Sequence, residues 1–262
     1  MSAQNPRGRR LTQTGACIFD LYGTLVDIHT DENQPSLSQR RSGYAASQGA
    51  HYEAEELRRA CLRLAAAAEA RLKARDRGIP GACPEIDLAL VFAGLYAEKG
   101  VEAGDALIAE TAWAFRQAST THLRLYAGAR ELLTALRAAG RRVFLLSNAQ
   151  SLFTRPELEA LGLCGAFDRI YISSEAGYKK PDPRFFRLLL EREGLEAADC
   201  LMIGNDPRCD GEGARAVGME TWIIRSALSP RECAGGYDQQ GMDLRKLQRR
   251  LCMAGFGVRN SE

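Results

Sequence analysis

Four groups of chemically capable residues recur along this chain, each beside an apolar run. Asp20 closes the run Cys17-Ile18-Phe19, and Gly23-Thr24 then turn the chain sharply. A buried parallel strand hands a carboxylate to the open edge of a sheet in this way, and α/β folds place ligands at that edge. Ser147-Asn148 follow Leu145-Leu146, and Lys179-Lys180 precede Pro181-Asp182-Pro183. Asn205, Asp206 and Asp210 follow Ile203-Gly204. The set comprises a carboxylate, a hydroxyl, an ammonium and a carboxylate pair. A carboxylate can attack phosphorus or carbon and form a covalent ester that water later cleaves. A nearby cation would hold that carboxylate ionised. Hydroxyl and amide donors such as Ser147 and the backbone near Asn148 would stabilise charge on a substrate oxyanion. Without that chemistry, Asp20 and Ser147-Asn148 read as turns, and Asp206 and Asp210 as caps of a helix near Gly211.

The elements that must position these residues follow from periodicity. Glu53 to Asp76 places Leu57, Cys61, Leu64, Ala68 and Leu72 at helical spacing. Pro84 to Lys99 and Ala106 to Thr120 read as two further helices, the first closed by Gly100. From Ala127 onward helix and strand alternate. Helices are expected over 131–138, 157–161, 183–193 and 211–217, and strands over 143–146, 170–172, 201–203 and 221–224. That alternation predicts an α/β fold, a Rossmann-like parallel sheet core with helices on both faces. An all-helical block is inserted after the first strand. The expected division is a loose extension over 1–14, a core over 15–29 and 123–226, the helical block over 30–122, and a C-terminal loop and helix over 227–262.

The 262 residues are 45% hydrophobic and 26% charged, which suits a globular chain with a sizeable core. A net charge of +2, without a basic stripe interleaved with aromatics, predicts no nucleic-acid partner. No apolar stretch is long enough to span a bilayer, so no membrane partner is expected. Eight cysteines without a C-x-x-C pair, several inside apolar runs, predict reduced thiols and a cytoplasmic setting.

Taken in order, these motifs resemble the haloacid dehalogenase superfamily of aspartyl-nucleophile hydrolases over roughly residues 15–225. The resemblance implies that Asp20 is the nucleophile and that Lys180, directly before Pro181, is its ammonium, leaving Lys179 an ordinary role. It implies that Thr24 supplies the motif hydroxyl or braces the turn, that Asp210 orients Lys180 or its loop, and that 30–122 is a mobile cap. It also implies a Mg²⁺ ion on Asp20, the main-chain carbonyl of Tyr22, and Asn205 or Asp206. Two positions depart from the phosphatase pattern. Tyr22 stands where an acid–base Asp is usual, and Asn205 stands where a metal-binding Asp is usual. Tyr22 and the neutral Asn205 are similar to the 2-haloacid dehalogenases, whose substrate-gripping cap arginine has no matched position here. Arg40 and Arg41 are near it in sequence but read as a solvated pair. The leading reading is a Mg²⁺-assisted phosphatase of a small phosphorylated metabolite. The alternatives are a carbon–halogen hydrolase and a binding protein without turnover. Cap loops select substrate in such proteins, and 83–87 is a candidate reaching loop or a Pro-initiated helix start.

Overall fold

The computed structural model describes residues 15–252 apart from 33, 35 and 234, so the expected extension over 1–14 lies outside the described residues. Strand β1 (Ala16–Phe19) is wholly buried, which is why its sequence is apolar at every position. It pairs in parallel with β4 (Arg142–Ser147) on one side and β6 (Cys200–Gly204) on the other. With β5 (Arg169–Ile172), β7 (Glu220–Arg225) and β8 (Gln239–Gln240), the sheet order is β5-β4-β1-β6-β7-β8. The order reverses about β1, so the carboxyl ends of β1, β4 and β6 meet at the topological switch point.

Helices cover both faces. Cys17 and Phe19 point into one apolar cluster with Leu132, Leu133 and Leu136 of one helix (Ala129–Ala138) and Leu244, Leu247 and Leu251 of another (Leu244–Cys252). Ile18 points to the other face, against Phe185, Phe186 and Leu189 of the helix Pro183–Glu193. Each buried Phe or Leu contributes roughly 1.5–3 kcal/mol. Pro183 begins its helix and Gly194 ends it in the left-handed conformation, φ 62°, so both boundaries match the expected ones.

The inserted block holds four helices, α1 (Leu37–Ser47), α2 (Ala54–Arg75), α3 (Leu88–Glu98) and α4 (Asp105–Ser119). They have an apolar cluster of their own, in which Phe92 and Phe115 meet edge to face at 5.4 Å. Leu152 and Phe153 of the core helix Ser151–Ala160 pack against that cluster. The block joins the core through a feature the sequence did not suggest. Strand β2 (Val26–Thr30) pairs antiparallel with β3 (Thr120–Leu125), and the ribbon lies across the expected boundaries at 29/30 and 122/123.

Three helix starts differ from expectation. α3 begins at Leu88 because Asp87 caps it, accepting from Ala89 N at 2.9 Å, while Pro84 pairs with Tyr178 of the core. The helix expected from Glu157 already begins at Ser151 and carries Pro156 within it. The helix expected from Gly211 is preceded by a wide π-type turn, Pro207–Glu212, before a short α-turn, Gly213–Ala216. All eight cysteines are free thiols, and no helix among the described residues is long and apolar enough to cross a membrane.

Candidate active site

Asp20 follows β1 directly, and its N–H donates to Ile203 O at 2.9 Å, which fixes it between the strands. The chain then closes a tight turn in which Leu25 N and Val26 N both donate to Leu21 O. Gly23 is needed twice over. Its φ is 86°, and a Cβ there would lie 2.3 Å from Asn205 Nδ2.

Lys180 Nζ is the centre of the site. It donates to Asp20 Oδ1 at 2.8 Å, to Asp210 Oδ1 at 2.7 Å and to Leu146 O at 2.7 Å. Its three protons are therefore all engaged. The residue is only 2% exposed. Burial by itself would lower its pKa, but Asp20 and Asp210 outweigh that and hold the ammonium well above the usual lysine range. Asn148 sets the loop that delivers it. Its Oδ1 accepts from Lys180 N at 2.8 Å and its Nδ2 donates to Lys180 O at 2.9 Å. The Asn148 side chain thus braces Lys180 from the edge of the cleft. Lys179 points elsewhere and pairs with Glu85 at 3.5 Å.

Asp210 is wedged under the start of the π-type turn. Its Oδ2 accepts from Asn205 N and Asp206 N, both at 3.0 Å. Burial pushes its pKa up to about 6 against the pull of Lys180. The wedge requires Gly204, because a Cβ there would lie 2.1 Å from Asp210 Oδ2. Gly204→Ala should therefore cost about 1–3 kcal/mol of stability and loosen Lys180 together with Asp210. Denaturant unfolding read beside turnover checks this, and a variant equal to wild type in both would contradict it.

The acidic residues after β6 divide their work. Asp206 Oδ1 caps the turn, accepting from Arg208 N and Cys209 N at 2.8 and 2.9 Å. Asn205 Oδ1 lies 3.5 Å from Thr24 Oγ1, which in turn donates to Asp20 Oδ2 at 3.2 Å. Asn205 is also held by Ser226 and Ser229, because Nδ2 donates to Ser226 Oγ at 3.3 Å and Ser229 Oγ donates to Asn205 O at 2.8 Å. Ser147 Oγ is buried with no hydrogen-bond partner among the described residues.

These groups border a cleft of about 200 Å³ lined by Asp20, Tyr22, Asn148, Lys180, Asn205 and Asp206, with Cys209, Asp210, Leu228 and Pro230 beside them. Leu228 and Pro230, from the loop after β7, were not anticipated. The loop 83–87 does not line this cleft. It is instead strapped to the Lys180 loop, with Cys83 N donating to Asp182 Oδ2 at 2.9 Å and Lys179 N to Cys83 O at 2.8 Å. Arg40 is exposed, as expected of a solvated pair, whereas Arg41 is half-buried and pairs with Glu32. They donate to Ala118 O and Phe115 O and close the C-terminal end of α4.

Tyr22 is the largest departure from expectation. Its phenol donates to Glu157 Oε2 in a very short contact, with Thr154 Oγ1 at 3.0 Å. Glu157 is 1% exposed, and its Oε1 accepts from Arg116 Nε of α4 at 2.7 Å. The Arg116 guanidinium lies over the rings of Tyr22 and Phe153. Desolvation, reinforced by the Glu157 carboxylate, pushes the phenol far above the usual tyrosine range. Glu157 and Arg116 were missed from sequence. The available signal was a glutamate in register with the buried Thr154 and Leu158 on one helix face.

The switch-point sheet sets a carboxylate–ammonium–carboxylate centre at its edge, as an α/β hydrolase can, and comparison gives the family. A profile of haloacid dehalogenase-like hydrolases matches residues 14–218, so the chain belongs to that family. Phosphoserine phosphatase of Thermus thermophilus is 33% identical over 123 residues, 47% of this chain and 49% of that protein. The chain thus matches about half the length of this relative. A crystal structure of a dehalogenase with an intermediate complex shares the fold at TM-score 0.54 and 24% identity, covering 92% of this chain and 98% of that one. A HAD hydrolase of Bacillus subtilis, solved with magnesium and showing interdomain movement, matches at TM-score 0.52 and 19% identity, covering 91% and 99%.

Proposed function

We propose that this hydrolase is a phosphatase of a small phosphorylated metabolite, working through a covalent aspartyl-phosphate on Asp20. The observation that carries the reading is the buried chain from Asp20 through Lys180 to Asp210, which holds a carboxylate beside a fixed cation at the edge of a small cleft. Asp20 attacks phosphorus, a new O–P bond forms, and the bond to the leaving oxygen breaks. Water then attacks the same phosphorus and restores the Asp20 carboxylate. Its protons depart on inorganic phosphate, so that half-reaction balances without a separate base. The unpartnered Ser147 hydroxyl is suited to a phosphoryl oxygen.

The oxygen donors at the cleft fit Mg²⁺ of the sparse kind, which keeps waters and leans on substrate phosphate. Asp20, the Tyr22 carbonyl, Asn205 and Asp206 would hold it. The ion would supply neutralisation of phosphoryl charge. Among the described residues no cluster of three His, Cys, Asp or Glu is poised to hold a metal, so affinity should depend strongly on bound substrate. The helices of 30–122 serve in this reading as a cap hinged on the β2–β3 ribbon and latched where Arg184 bridges Asp76 and Asp182, both at 2.7 Å.

A second reading has its own observation. Tyr22 and the neutral Asn205 suit carbon–halogen hydrolysis, because halide leaves without a proton. Phosphate and halide release across a panel of phosphate esters and 2-haloacids, with and without Mg²⁺, separates the two. We expect Mg²⁺-dependent phosphate release, and halide release alone would replace the phosphatase reading.

A further inference from the structure

A phosphoryl group can be transferred from an ordinary alcohol only if the leaving oxygen receives a proton, because an alkoxide is too basic to depart alone. The cleft can be searched for that proton. Lys180 spends all three of its own on Asp20, Asp210 and Leu146 O. Asp210 accepts from Lys180 and from two backbone amides, so its oxygens serve only as acceptors. Asp206 accepts from two amides of the turn it caps through Oδ1 alone, and the phosphatase reading gives its carboxylate to Mg²⁺. Cys209 lies against Asp206, to which its own N–H donates at 2.9 Å. Asn148 and Asn205 are neutral amides, and none of the three histidines lines the cleft.

Tyr22 remains, and Glu157 disposes of it. The phenol proton is committed to a carboxylate that is 1% exposed, and Arg116 fixes that carboxylate from its other oxygen. A phenol so placed turns its O–H away from the reacting atoms.

We propose that the cleft serves phosphoryl donors whose leaving group departs as a stable anion, with Glu157 as the positioning residue that withholds the Tyr22 proton. The class comprises acyl phosphates and the phosphate esters of acidic enols and phenols. The cleft of about 200 Å³ accommodates small members of that class. This inference rests on the phosphatase reading and narrows it.

The test needs only the intact wild-type protein with Mg²⁺. Values of kcat/KM are measured for acetyl, p-nitrophenyl, phenyl and ethyl phosphate. A general acid is typically worth about 10²–10⁴ in rate, so ethyl phosphate should lag acetyl phosphate by at least that span, with phenyl phosphate between. Glu157→Gln supplies the second readout. The single carboxamide oxygen would go to Arg116 and the NH₂ to the Tyr22 oxygen, which frees the phenol proton. The acetyl-to-ethyl ratio should then fall about tenfold, whereas a merely structural role for Glu157 would lower all four substrates together. Ethyl phosphate turned over as well as acetyl phosphate by the wild type would overturn the inference while leaving the phosphatase reading intact. Release of phosphate from none of the four would remove both.

Discussion

Asp20→Asn should reduce turnover of every substrate by at least about 10⁴-fold, since the nucleophile starts the covalent route and a carboxamide cannot form the ester. The variant should nevertheless fold. Asn keeps an oxygen for Lys180 Nζ at the position where Asp20 Oδ1 now lies, 2.8 Å away. Its NH₂ would face Thr24 Oγ1, which can accept as readily as it now donates at 3.2 Å. The buried centre holds two carboxylates against one ammonium, and the exchange leaves one of each. Loss of a like-charge neighbour offsets loss of an ion pair, so stability should stay within about 1 kcal/mol of wild type. The checks are kcat/KM, unfolding midpoints and the mass of the protein quenched during turnover. Wild type should carry one phosphoryl adduct that the variant lacks. A folded Asp20→Asn protein that retains substantial activity would falsify the covalent mechanism.

The fold was legible where physics acts locally. β1, β4 and β6 are buried on both faces, so their residues are apolar without alternation and stand out in sequence. The helix Pro183–Glu193 announces itself at both ends. By contrast, β2 and β3 pair Ile28 with Leu123 and His29 with His122 across some ninety residues, and neither strand is apolar enough to be read alone. The π-type turn was hidden for a related reason. Its shape follows from Asp210 reaching back to two amides, a contact that exists only once β6 and the turn are in place.

The candidate site divides in the same manner. Asp20, Lys180 and Asp210 each follow a recognisable strand or precede a recognisable helix, so their convergence could be expected from topology. Glu157 and Arg116 have meaning only because α4 crosses the core helix Ser151–Ala160 beside Tyr22. Asn148 shows the converse. Its position was legible, but its side chain serves the Lys180 backbone, and that partnership depends on a loop thirty residues downstream. Departures from a motif at Tyr22 and Asn205 were visible as letters. Their consequences required the neighbours Glu157, Thr24 and Ser226 to be seen.

Lys180→Met should abolish turnover and also strike stability, which separates it from Asp20→Asn. Removing the ammonium leaves Asp20 and Asp210, 7% and 1% exposed, with no cation between them, and strips Leu146 O of a donor. Breaking one side of a buried ion pair typically costs about 3–5 kcal/mol, a large share of the roughly 5–15 kcal/mol that holds a domain together. The loss should depend on pH with a definite sign. Without Lys180, burial and the neighbouring Asp20 carboxylate raise the folded-state pKa of Asp210 unopposed, so the native state binds a proton that the unfolded state releases. Stability of the variant should therefore rise as pH falls from 7 toward 5 and decline again on return to neutrality. Lys179→Met is the control. Its side chain is 43% exposed and pairs with Glu85 at 3.5 Å, so stability should change by no more than about 0.5 kcal/mol. Urea unfolding of both variants at pH 5 and pH 7, read beside kcat/KM, makes the comparison. A stable Lys180→Met protein with a crippled Lys179→Met would mean that the ammonium serving Asp20 has been assigned to the wrong residue.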